Sequence, residues 1–424
     1  MNRAAASGRL WAGWGLDPRA GLLQGILVQW EGGRFTSIES RRRPPADLEG
    51  SECHPGAILT PGLLNAHGHL DDSWLEGALP AGVEFTAWLR EMIRARGERD
   101  PSSAGREREA CARQIEAMAG DGIIETWDID SLGTARPLLD NGALAGISFD
   151  EIIAPTRLSW EERGRARFRE HKTRAYLDSS GETRQNGLSP HAPYTMIPLA
   201  LETCARWAAR RSVPLAIHLA ESEAENRLLI DGEGPLLDLM AEVTGASPAD
   251  ELGVGPSPIE RARLAGALRP STLAVHCNLP GPGEVDLLAR QRVAIVYCPS
   301  SHAWFAHPPY PLEQYLAAGA RIALGTDGLA CNRRLSIRAE AGRAAAAHPT
   351  VEPLVILALA TGALLGLEPP LGGRGLLAPG VRAGWALWAP GSVPANPTDR
   401  SMVECWLDES TRLIASSTWG SGPA

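Results

Sequence analysis

Lysine is almost absent from this chain. Lys172 is the single lysine among 41 basic residues, so the other basic residues are all arginines. Acidic residues number 50, which gives a net charge of −9. An acidic balance without a basic tail argues against nucleic acid and anionic membranes as partners. Hydrophobic residues at 44% and charged residues at 21% are ordinary for a folded, non-fibrous protein of 424 residues.

Cysteine pairs and long apolar runs are also lacking. The seven cysteines are odd in number, and no two have C-x-x-C spacing, which fits buried thiols in a reducing compartment. The longest apolar run, Leu354 to Leu367, spans 14 residues, whereas a membrane helix needs about 20. This run therefore predicts a buried helix. Arg9, Asp17 and Pro18 interrupt the N-terminus, which therefore does not resemble a secretory signal. We expect a soluble, cytoplasmic protein.

Between residues 57 and 350, short apolar runs alternate with amphipathic stretches such as AWLREMIRAR. This alternation indicates βα units and a parallel sheet, in the α/β class. Eight units over roughly 300 residues favour a (β/α)8 barrel over an open sheet. The predicted strands are Ile58–His69, Ile123–Asp130, Ala145–Ile152, Gly187–His191, Leu215–Leu219, Leu273–Cys277, Ala294–Cys298 and Ile322–Asp327.

Both ends of the chain are rich in β-prone residues. GILVQWEGGRFTSI has a Gly-Gly turn between two such runs, which is a hairpin signal, and WALWAP and MVECWL near the C-terminus are also strand-like. The two ends could pair into one small β domain. We therefore divide the chain into a composite domain, residues 1–58 and 379–424, and a barrel domain, residues 59–378.

Histidines end the first predicted strand. His67 and His69 form an H-x-H pair, and residues two apart in a strand point to the same side. Both imidazoles would face the carboxyl-terminal mouth of the barrel, where barrel enzymes carry their sites. Pairs at this spacing are common metal ligands, but an isolated H-x-H is a polar turn about half the time.

Three later strands repeat one arrangement, with small residues inward, bulky residues outward and a polar side chain at the tip. The fifth strand ends in His218, the sixth in His276 and the eighth in Asp327. In the sixth strand the alternation places His276 inward and Leu273 and Val275 outward. Three unrelated surface residues would not share this pattern, so we expect the tips to meet in one site.

The predicted site would offer three imidazole nitrogens and one carboxylate oxygen. This set suits one divalent metal ion, zinc or iron, with a water in an open position. Such a metal makes hydroxide available near neutral pH. Glu221 and His276 lie close by without being needed as ligands, so they are free for proton transfer. The candidate metal ligands are His67, His69, His218 and Asp327.

These motifs resemble the amidohydrolase superfamily, in particular its deaminase and chlorohydrolase branch. The resemblance covers nearly the whole chain and rests on TPGLLNAHGHL, SPHAPYT, HLAES, AVHCNL, VYCPSSHAWFAHPPYP and ALGTDGLACN, in the family's order and spacing. It implies a TIM barrel with a small β-sandwich formed by the N- and C-terminal segments. It also implies one metal, bound by the four candidate ligands.

The resemblance further implies roles for individual residues. Glu221 would shuttle a proton to a ring nitrogen, His276 would hold the hydroxide, and His191 in SPHAPYT would contact the substrate. With Asp327 as the shared ligand, Glu221 and His276 complete the catalytic set.

Within the branch, the chain is most similar to the aminodeoxyfutalosine deaminases. The segments that carry this similarity are FTAWLREMI, SPHAPYT and CPSSHAWFAHPPYP. Two departures stand near the site. Asp71 follows HGHL where a glutamate is more usual, and Ser300 follows CP where a basic residue is often found. The second departure bears on the substrate and not on the mechanism.

Other residues are candidates for substrate binding. Ser300 and His302 belong to the segment after the seventh strand, where a structural role is as well supported for His302 as a pocket role. Trp88 has the spacing of a helix core residue, but its ring could stack on a flat heterocycle. The arginines that could bind an anionic substrate group, otherwise solvated, are Arg90, Arg94, Arg333 and Arg334.

Binuclear members of this superfamily commonly bridge two metals with a carbamylated lysine on the fourth strand. Lys172 lies in RFREHKTRAYLD, a charged and helix-like stretch about 20 residues before His191, so its amine is expected to be solvated. The fourth strand itself has no lysine. The sequence therefore predicts one metal and not two.

The first functional hypothesis is a metal-dependent hydrolase of carbon–nitrogen bonds other than peptide bonds. It would deaminate an amino-substituted, purine-like heterocycle, with aminodeoxyfutalosine as the first named substrate. Ring-amide hydrolysis or halide displacement is the alternative, because a metal hydroxide can do all three and the fold does not choose. Glu221 favours deamination, since a ring nitrogen must be protonated. A barrel that only binds a ligand is a third class, and a homodimer is left open.

Overall fold

Two β-sheets organise the part of the chain that the computed structural model describes, residues 7–48, 52–140, 144–177, 184–366 and 371–417. Eight strands form one sheet and six form the other. The strands are β1 (Ser7–Asp17), β2 (Gly21–Glu31), β3 (Arg34–Ser40), β4 (Cys53–Pro61), β5 (Leu63–Gly68), β6 (Ile123–Asp130), β7 (Ala145–Ile152), β8 (Arg184–Pro190), β9 (Leu215–Leu219), β10 (Thr272–His276), β11 (Ala294–Tyr297), β12 (Arg321–Leu324), β13 (Trp385–Ala389) and β14 (Arg412–Ser416).

Helices follow most of the barrel strands, and a 3-10 helix, Leu70–Leu75, follows β5. The α-helices are α1 (Phe85–Gly97), α2 (Ala104–Gly120), α3 (Arg136–Asp140), α4 (Arg157–Ser159), α5 (Arg165–Leu177), α6 (Pro198–Arg211), α7 (Glu223–Asn226), α8 (Pro235–Thr244), α9 (Pro248–Leu252), α10 (Pro258–Leu264), α11 (Glu284–Arg290), α12 (Pro299–Trp304), α13 (Leu312–Ala317), α14 (Ile337–Ala347), α15 (Pro353–Thr361) and α16 (Asp399–Leu407).

The eight-stranded sheet is the predicted barrel. Its strands run from β5 to β12 in sequence order, and neighbouring strands are parallel. A parallel bridge between Gly68 and Asp327 joins the first and last strands at the mouth. The (β/α)8 prediction is confirmed, and the predicted bounds of β6, β7 and β9 match the observed ones.

The predicted first strand, Ile58–His69, is wrong as a single element. Its first part belongs to β4, which pairs with β1 and β13 of the other sheet, and its second part is β5 of the barrel. Gly62 separates them. A Cβ at this position would lie 2.3 Å from Cδ1 of Ile124, so a larger residue would require the Ile124 side chain to move. An apolar run read from sequence does not show this change of sheet.

The six-stranded sheet joins the two ends of the chain, in the order β14-β13-β4-β1-β2-β3. The predicted hairpin is β2 and β3, which are antiparallel and turn at Gly32 and Gly33. Both turn residues have positive φ, 56° and 72°, which glycine adopts without strain. The predicted small β domain of the two ends is thus confirmed, and its described strands form one mixed sheet.

The strand-like segment MVECWL is a helix. It lies within α16, which begins with a capping box at Thr398. Met402, Val403 and Trp406 are its buried residues. These positions follow the helical spacing of i, i+1 and i+4, whereas a half-buried strand would bury alternate residues.

The first part of the apolar run that begins at Leu354 forms α15. The residues of this helix from Ile356 to Thr361 are buried, as predicted. None of the helices in the described ranges combines the length and the apolar character that a membrane-spanning helix needs.

The barrel interior is a packed apolar layer below the mouth. One cluster takes side chains from seven of the eight strands, among them Trp127, Phe149, Ala216 and Ala323. A separate, larger cluster lies between the outer face of the strands and the helices. The interior is therefore filled, and only the tips of the strands are available for a site.

Asn65 in β5 links the first barrel strand to the last. Its Nδ2 donates to Thr326 Oγ1 at 2.9 Å, and its Oδ1 accepts from the backbone N–H of Thr326 at 3.0 Å. Both residues are fully buried. Because the backbone of Thr326 precedes Asp327, this pair also fixes the start of a site loop.

We expect Asn65→Ala to lower the free energy of unfolding by about 1–3 kcal/mol, because it removes two buried hydrogen bonds, one to the backbone N–H and one to the hydroxyl of Thr326. The measurement is urea unfolding followed by circular dichroism. Asn396→Ala, the same change at an exposed position, serves as the control. Equal midpoints for the two variants would show that Asn65 does not hold the closure.

Candidate metal centre

Polar side chains from the strand tips converge at the carboxyl-terminal mouth of the barrel. Two groups have ligand atoms that all lie within 4.8 Å of one another: His67, His69 and His218 in the first, and Glu221, His276 and Asp327 in the second. The Asp327 carboxylate connects the groups. Its Oδ1 lies 3.7 Å from Nε2 of His67 and 3.6 Å from Nε2 of His69.

His67 and His69 reach the mouth through an irregularity in β5. Leu64 and Ala66 of this strand point into the barrel interior, so strict alternation would turn His67 away from it. The register between β5 and β6 shifts between Asn65 and Gly68, which releases His67 from that alternation. His69 lies just beyond the strand. The H-x-H pair thus converges as predicted, but by local distortion and not by regular strand geometry.

Three tips leave their strands in a left-handed backbone conformation. His276 has φ +66°, Asp327 has φ +57°, and Ala220, between His218 and Glu221, has φ +47°. Non-glycine residues adopt this region rarely, and each instance costs about 1–3 kcal/mol. Such residues concentrate at functional sites, because the strained turn aims a side chain where a regular strand would not.

The alternation predicted for the sixth strand is wrong for this reason. Leu273 and Val275 face the barrel interior, and Ala274 faces the helices. His276 would therefore point outward if β10 stayed regular. Its positive φ reverses the direction, so its Nε2 lies 4.0 Å from Asp327 Oδ2.

The protonation tendencies suit cation binding. Burial lowers the pKa of His69, His218 and His276 well below the usual value, so these imidazoles are neutral and offer a lone pair. Burial acts to raise the pKa of Asp327, but the adjacent imidazoles, with His67 first, hold it well below its usual range. A carboxylate beside neutral imidazoles is an arrangement that a divalent cation would complete.

Unsatisfied buried atoms support the same reading. Both ring nitrogens of His67 and Nδ1 of His69 are buried and have no hydrogen-bond partner within the described residues. Nε2 of His69 lies 3.3 Å from Nε2 of His218. A hydrogen bond needs one of these nitrogens protonated, whereas a metal can accept both lone pairs. The donor set therefore fits a zinc-like or iron-like ion.

Glu221 lies at the edge of this cluster. Its Oε1 is 3.6 Å from Nε2 of His276. Its backbone is fixed on both sides, because its N–H donates to Glu225 Oε2 at 2.9 Å and its carbonyl accepts from Asn278 Nδ2 at 2.9 Å. Burial, followed by the charges of Asp327 and Glu225, raises the pKa of Glu221 well above its usual value. A carboxyl group of this kind can carry a proton near neutral pH.

Asp71, which follows HGHL where a glutamate is more usual, has a structural role. Its two carboxylate oxygens accept from four consecutive backbone N–H groups, from Leu132 to Ala135, at 2.6 to 3.1 Å. The side chain thereby fixes the loop after β6 against the segment that follows His69.

The pocket above the cluster contains two of the four predicted substrate contacts. His191 lines it, with Nδ1 2.7 Å from Thr195 Oγ1, and burial lowers the pKa of its imidazole to about 3. Trp88 lines it as well, and its indole N–H donates to the Ala330 carbonyl at 3.0 Å. Trp88 thus combines the core packing and the pocket position that the sequence left as alternatives.

The structure does not bring Ser300 and His302 into this pocket. Ser300 is buried in α12, and its backbone N–H donates to Glu340 Oε2 at 2.7 Å. His302 packs among Tyr297, Tyr310 and His307, and its Nε2 lies 2.9 Å from the Pro308 carbonyl. Both side chains therefore support the segment after β11, and their assignment to substrate stays a prediction.

None of the four arginine candidates is among the described residues that line the pocket. Arg90 pairs with Glu242, and Arg94 pairs with Glu91 and Glu98 on its own helix. Arg333 and Arg334 border a different cleft, next to Ser300. An arginine that sequence reasoning missed, Arg96, does line the pocket.

Further lining residues were also missed: Asp72, Phe85, Leu89, Met92, Glu151, Tyr194 and Cys331. Glu151 had a usable signal, because it stands at the tip of a barrel strand like the predicted ligands. Phe85, Leu89 and Met92 belong to α1, and together with Trp88 and Arg96 they are spaced at i, i+3, i+4, i+7 and i+11, which is one helix face. Nothing in sequence indicates that this face turns toward the barrel mouth.

Lys172 lies in α5, with its ammonium 4.9 Å from the centre of the Phe168 ring. It is not among the described residues that line the pocket or form the two ligand groups. The part of β8 that faces this pocket offers no lysine either.

Comparisons with known proteins agree with this architecture. A family model of the amidohydrolase family matches residues 58–363. The chain is 30% identical over 348 residues to the aminodeoxyfutalosine deaminase of Deinococcus radiodurans, a match that covers 79% of this chain and 78% of that protein.

Two solved structures share the fold. The aminofutalosine deaminase of Helicobacter pylori in complex with methylthio-coformycin superposes with a TM-score of 0.81 at 19% identity, over 96% of this chain and 97% of that one. An adenosine deaminase from Xanthomonas campestris with bound zinc has a TM-score of 0.73 at 20% identity, over 93% and 88%.

Glu340, which holds Ser300, predicts a pH dependence of stability. It is fully buried, and burial raises its pKa to about 7 although Ser300 and Asn332 donate hydrogen bonds to it. A carboxyl with a raised pKa stabilises the fold fully below its unfolded value, and this contribution is lost as the pH rises through about 7. The loss is on the order of 3 kcal/mol.

We therefore expect the wild-type protein to lose stability between about pH 5 and 8 more steeply than Glu340→Gln, which cannot ionise. Urea unfolding at pH 5, 6, 7 and 8 measures this slope. Glu352→Gln, at an exposed position, is the control. If Glu340→Gln and the wild type have parallel pH profiles, Glu340 does not titrate in this range.

Proposed function

The chain belongs to the amidohydrolase family, and from this premise we propose that it is a metal-dependent aminohydrolase acting on an amino-substituted, purine-like heterocycle. The observation that carries the proposal is a buried carboxyl group, Glu221, beside His276 at the edge of the histidine cluster. Deamination of a ring needs a proton donor and a proton acceptor at one place, whereas an amide or halide substrate does not need a ring nitrogen to be protonated.

In this proposal His67, His69, His218 and Asp327 hold one divalent metal, either zinc or iron. Two observations support the set: the orphaned nitrogens of His67 and His69, and the position of Asp327 between them. When bound, such a metal supplies a water that is acidic enough to serve as a nucleophile near neutral pH. The zinc in the Xanthomonas campestris neighbour favours testing zinc first.

The residues of the chain position and move the protons. Glu221, with its raised pKa, delivers a proton to the ring nitrogen next to the amino-bearing carbon, and receives one in return from the nucleophile. His276 is neutral and holds the orientation of the nucleophile through its Nε2, which lies between Glu221 and Asp327. Ammonia is the leaving group.

The pocket suits a flat, partly apolar substrate. Trp88, Phe85 and Met92 supply an apolar face of α1, and His191 supplies a polar contact. The named relatives act on aminodeoxyfutalosine or aminofutalosine and adenosine. Aminodeoxyfutalosine and adenine nucleosides are therefore the first substrates to test.

The test is ammonia release by the metal-loaded protein over aminodeoxyfutalosine, adenosine and 5′-substituted adenosines. The expected result is ammonia in equal amount to the hydroxylated ring product. Chloride from a chlorinated ring, or a new carboxylate from a cyclic amide, without ammonia from any nucleoside, would place the protein in another branch of the family.

We predict that Glu221→Gln retains its metal but loses about 10²–10⁴-fold in kcat, because the amide keeps the shape of the side chain and cannot transfer the proton. Steady-state kinetics and elemental analysis measure the two properties. Glu223→Gln, two residues away and exposed, should keep full activity. An activity of Glu221→Gln within a few-fold of wild type would exclude Glu221 as the shuttle.

We also predict one tightly bound metal per chain. Elemental analysis after chelator treatment and reloading should give one equivalent, and His218→Ala should give none, because one of the three clustered imidazoles is lost. His54→Ala, outside the cluster, is the control. Activity that rises with a second equivalent would contradict the mononuclear reading.

A further inference from the structure

A second cleft shares no described lining residue with the pocket at the barrel mouth. Its volume is about 990 Å³, and it is lined by residues of α14 from the barrel and of β13 and β14 from the other sheet. Two of its residues are arginines for which the sequence suggested an anionic ligand. We call it the arginine cleft, after its five arginines: Arg333, Arg334, Arg338, Arg343 and Arg412.

Positive charge is in excess in the arginine cleft. Its acidic lining residues are Asp121 and Glu409. Guanidinium groups stay charged in proteins, so five of them against two carboxyl groups leave at least three positive charges in excess, even when both carboxyl groups are ionised. The whole chain, in contrast, has a net charge of −9. The cleft therefore concentrates positive charge against the overall balance of the protein.

Most arginines of the cleft lack an acidic partner. Four of them are exposed and form no ion pair within the described ranges: Arg333, Arg334, Arg343 and Arg412. Exposed arginines elsewhere are paired on their own helices, as Arg206 is with Glu202 and Arg263 with Glu260. The guanidinium groups of the cleft thus keep their N–H donors and their charge available for a ligand.

Another cleft shows that this excess does not follow from the arginine-rich composition alone. There Arg99 pairs with Glu107, and Arg94 pairs with Glu98. Its lining balances four arginines with four acidic residues: Arg94, Arg99, Arg106, Arg113, Glu76, Glu98, Asp100 and Glu107. We call it the balanced cleft. The shortage of carboxyl groups, and not the number of arginines, distinguishes the arginine cleft.

Arg338 is the fixed part of the arginine cleft. Its Nη1 and Nη2 donate to the carbonyls of Thr411 and Asp408, each at 2.8 Å, and its guanidinium lies 5.0 Å from the centre of the Trp388 ring. Carbonyl groups and an aromatic ring hold a guanidinium without cancelling its charge. This charge is therefore in place before any ligand binds.

The sequence of α14 keeps the cleft open. Ala339, Gly342, Arg343 and Ala346 line it with the spacing i, i+3, i+4 and i+7, which is one helix face. Among these four, Arg343 has the one long side chain. A Cβ at Gly342 would meet nothing within 4 Å, so this face borders open space. The small residues leave room that the arginines surround.

We propose that the arginine cleft binds a small molecule that carries two or more phosphate groups. The planar fork of a guanidinium matches phosphate oxygens, and a phosphate ester brings a charge of about −1.5 to −2. Two such groups match an excess of at least three positive charges, whereas one does not. The inference is independent of the proposed function, because the cleft and the pocket are separate.

The test is isothermal titration calorimetry of the zinc-loaded protein with fructose 1,6-bisphosphate as the probe. This probe has two phosphate groups and no heterocycle that could enter the pocket. We expect it to bind about tenfold or more tightly than fructose 6-phosphate, because the second phosphate group reaches further arginines. The affinity should fall as the salt concentration rises, since exposed charges are screened.

Paired substitutions test the location of the probe. Arg334→Gln combined with Arg412→Gln removes one charge from the barrel side and one from β14, and should weaken binding about tenfold or more. Arg106→Gln combined with Arg113→Gln removes the same charge from the balanced cleft and should bind as the wild type does. Thermal melting shows that each variant is folded.

A charge placed in the cleft gives a second, independent test. Ala346 is exposed and lies three residues after Arg343 on α14. Ala346→Glu would pair with Arg343 and repel phosphate, so it should weaken binding several-fold. Ala346→Gln has nearly the same size without the charge and should leave binding unchanged.

Three results would overturn the inference. One is no binding of fructose 1,6-bisphosphate, and another is equal weakening by the two double variants, which would indicate general attraction to a basic surface. The third is binding that Arg334→Gln with Arg412→Gln retains and His218→Ala loses, because the phosphate groups would then bind at the candidate metal centre. None of these results bears on ammonia release, so the proposed function would stand or fall separately.

Discussion

Three imidazoles and one carboxylate are buried together at the barrel mouth, and His67 and His69 have ring nitrogens without a hydrogen-bond partner among the described residues; this constraint organises the rest of the structure. The ring nitrogens of His67, His69 and His218 lie close together, and Nε2 of His67 and of His69 lie 3.7 and 3.6 Å from Asp327 Oδ1. Buried polar atoms without partners destabilise a fold, so such a group persists only where a ligand supplies the missing interaction. A cation at this place would interact with all four side chains at once, since each of them offers a lone pair. The surrounding barrel therefore keeps these polar side chains buried, although water would otherwise solvate them.

The barrel strands place these side chains together by departing from regular strand geometry at their carboxyl-terminal ends. The register shift lies within the last residues of β5, and the left-handed residues Ala220, His276 and Asp327 lie at or just beyond the ends of their strands. Strain of this kind needs support from rigid neighbours. Asn65 provides it between the first and last strands, and Glu225 and Asn278 provide it around Glu221. The close-packed apolar interior below the barrel mouth supports these residues rigidly.

Sequence reasoning located the barrel strands and named side chains that the fold brings together at the mouth, because both depend on local signals. Apolar runs mark strands, and histidines at strand ends mark the mouth of a barrel. It failed where the outcome depends on non-local packing. The direction of His276 depends on a backbone angle that no alternation rule contains, and the division of the first strand depends on the pairing of β4 with β1 and β13 of the other sheet. Ser300 was judged by its neighbours in sequence, whereas its position is set by Glu340, 40 residues later.

The substrate side of the pocket is the part that sequence describes least, and it is also tied to the metal side. Helix α1 presents Trp88 and Arg96 from one face. The Trp88 indole binds the Ala330 carbonyl, and the thiol of the next residue, Cys331, lies 3.2 Å from Oδ2 of Asp327. The helix that would contact the substrate thus holds the loop that carries a candidate ligand. A shift of α1 to fit a different substituent would move Asp327 as well, so substrate preference and metal geometry are constrained together in this fold.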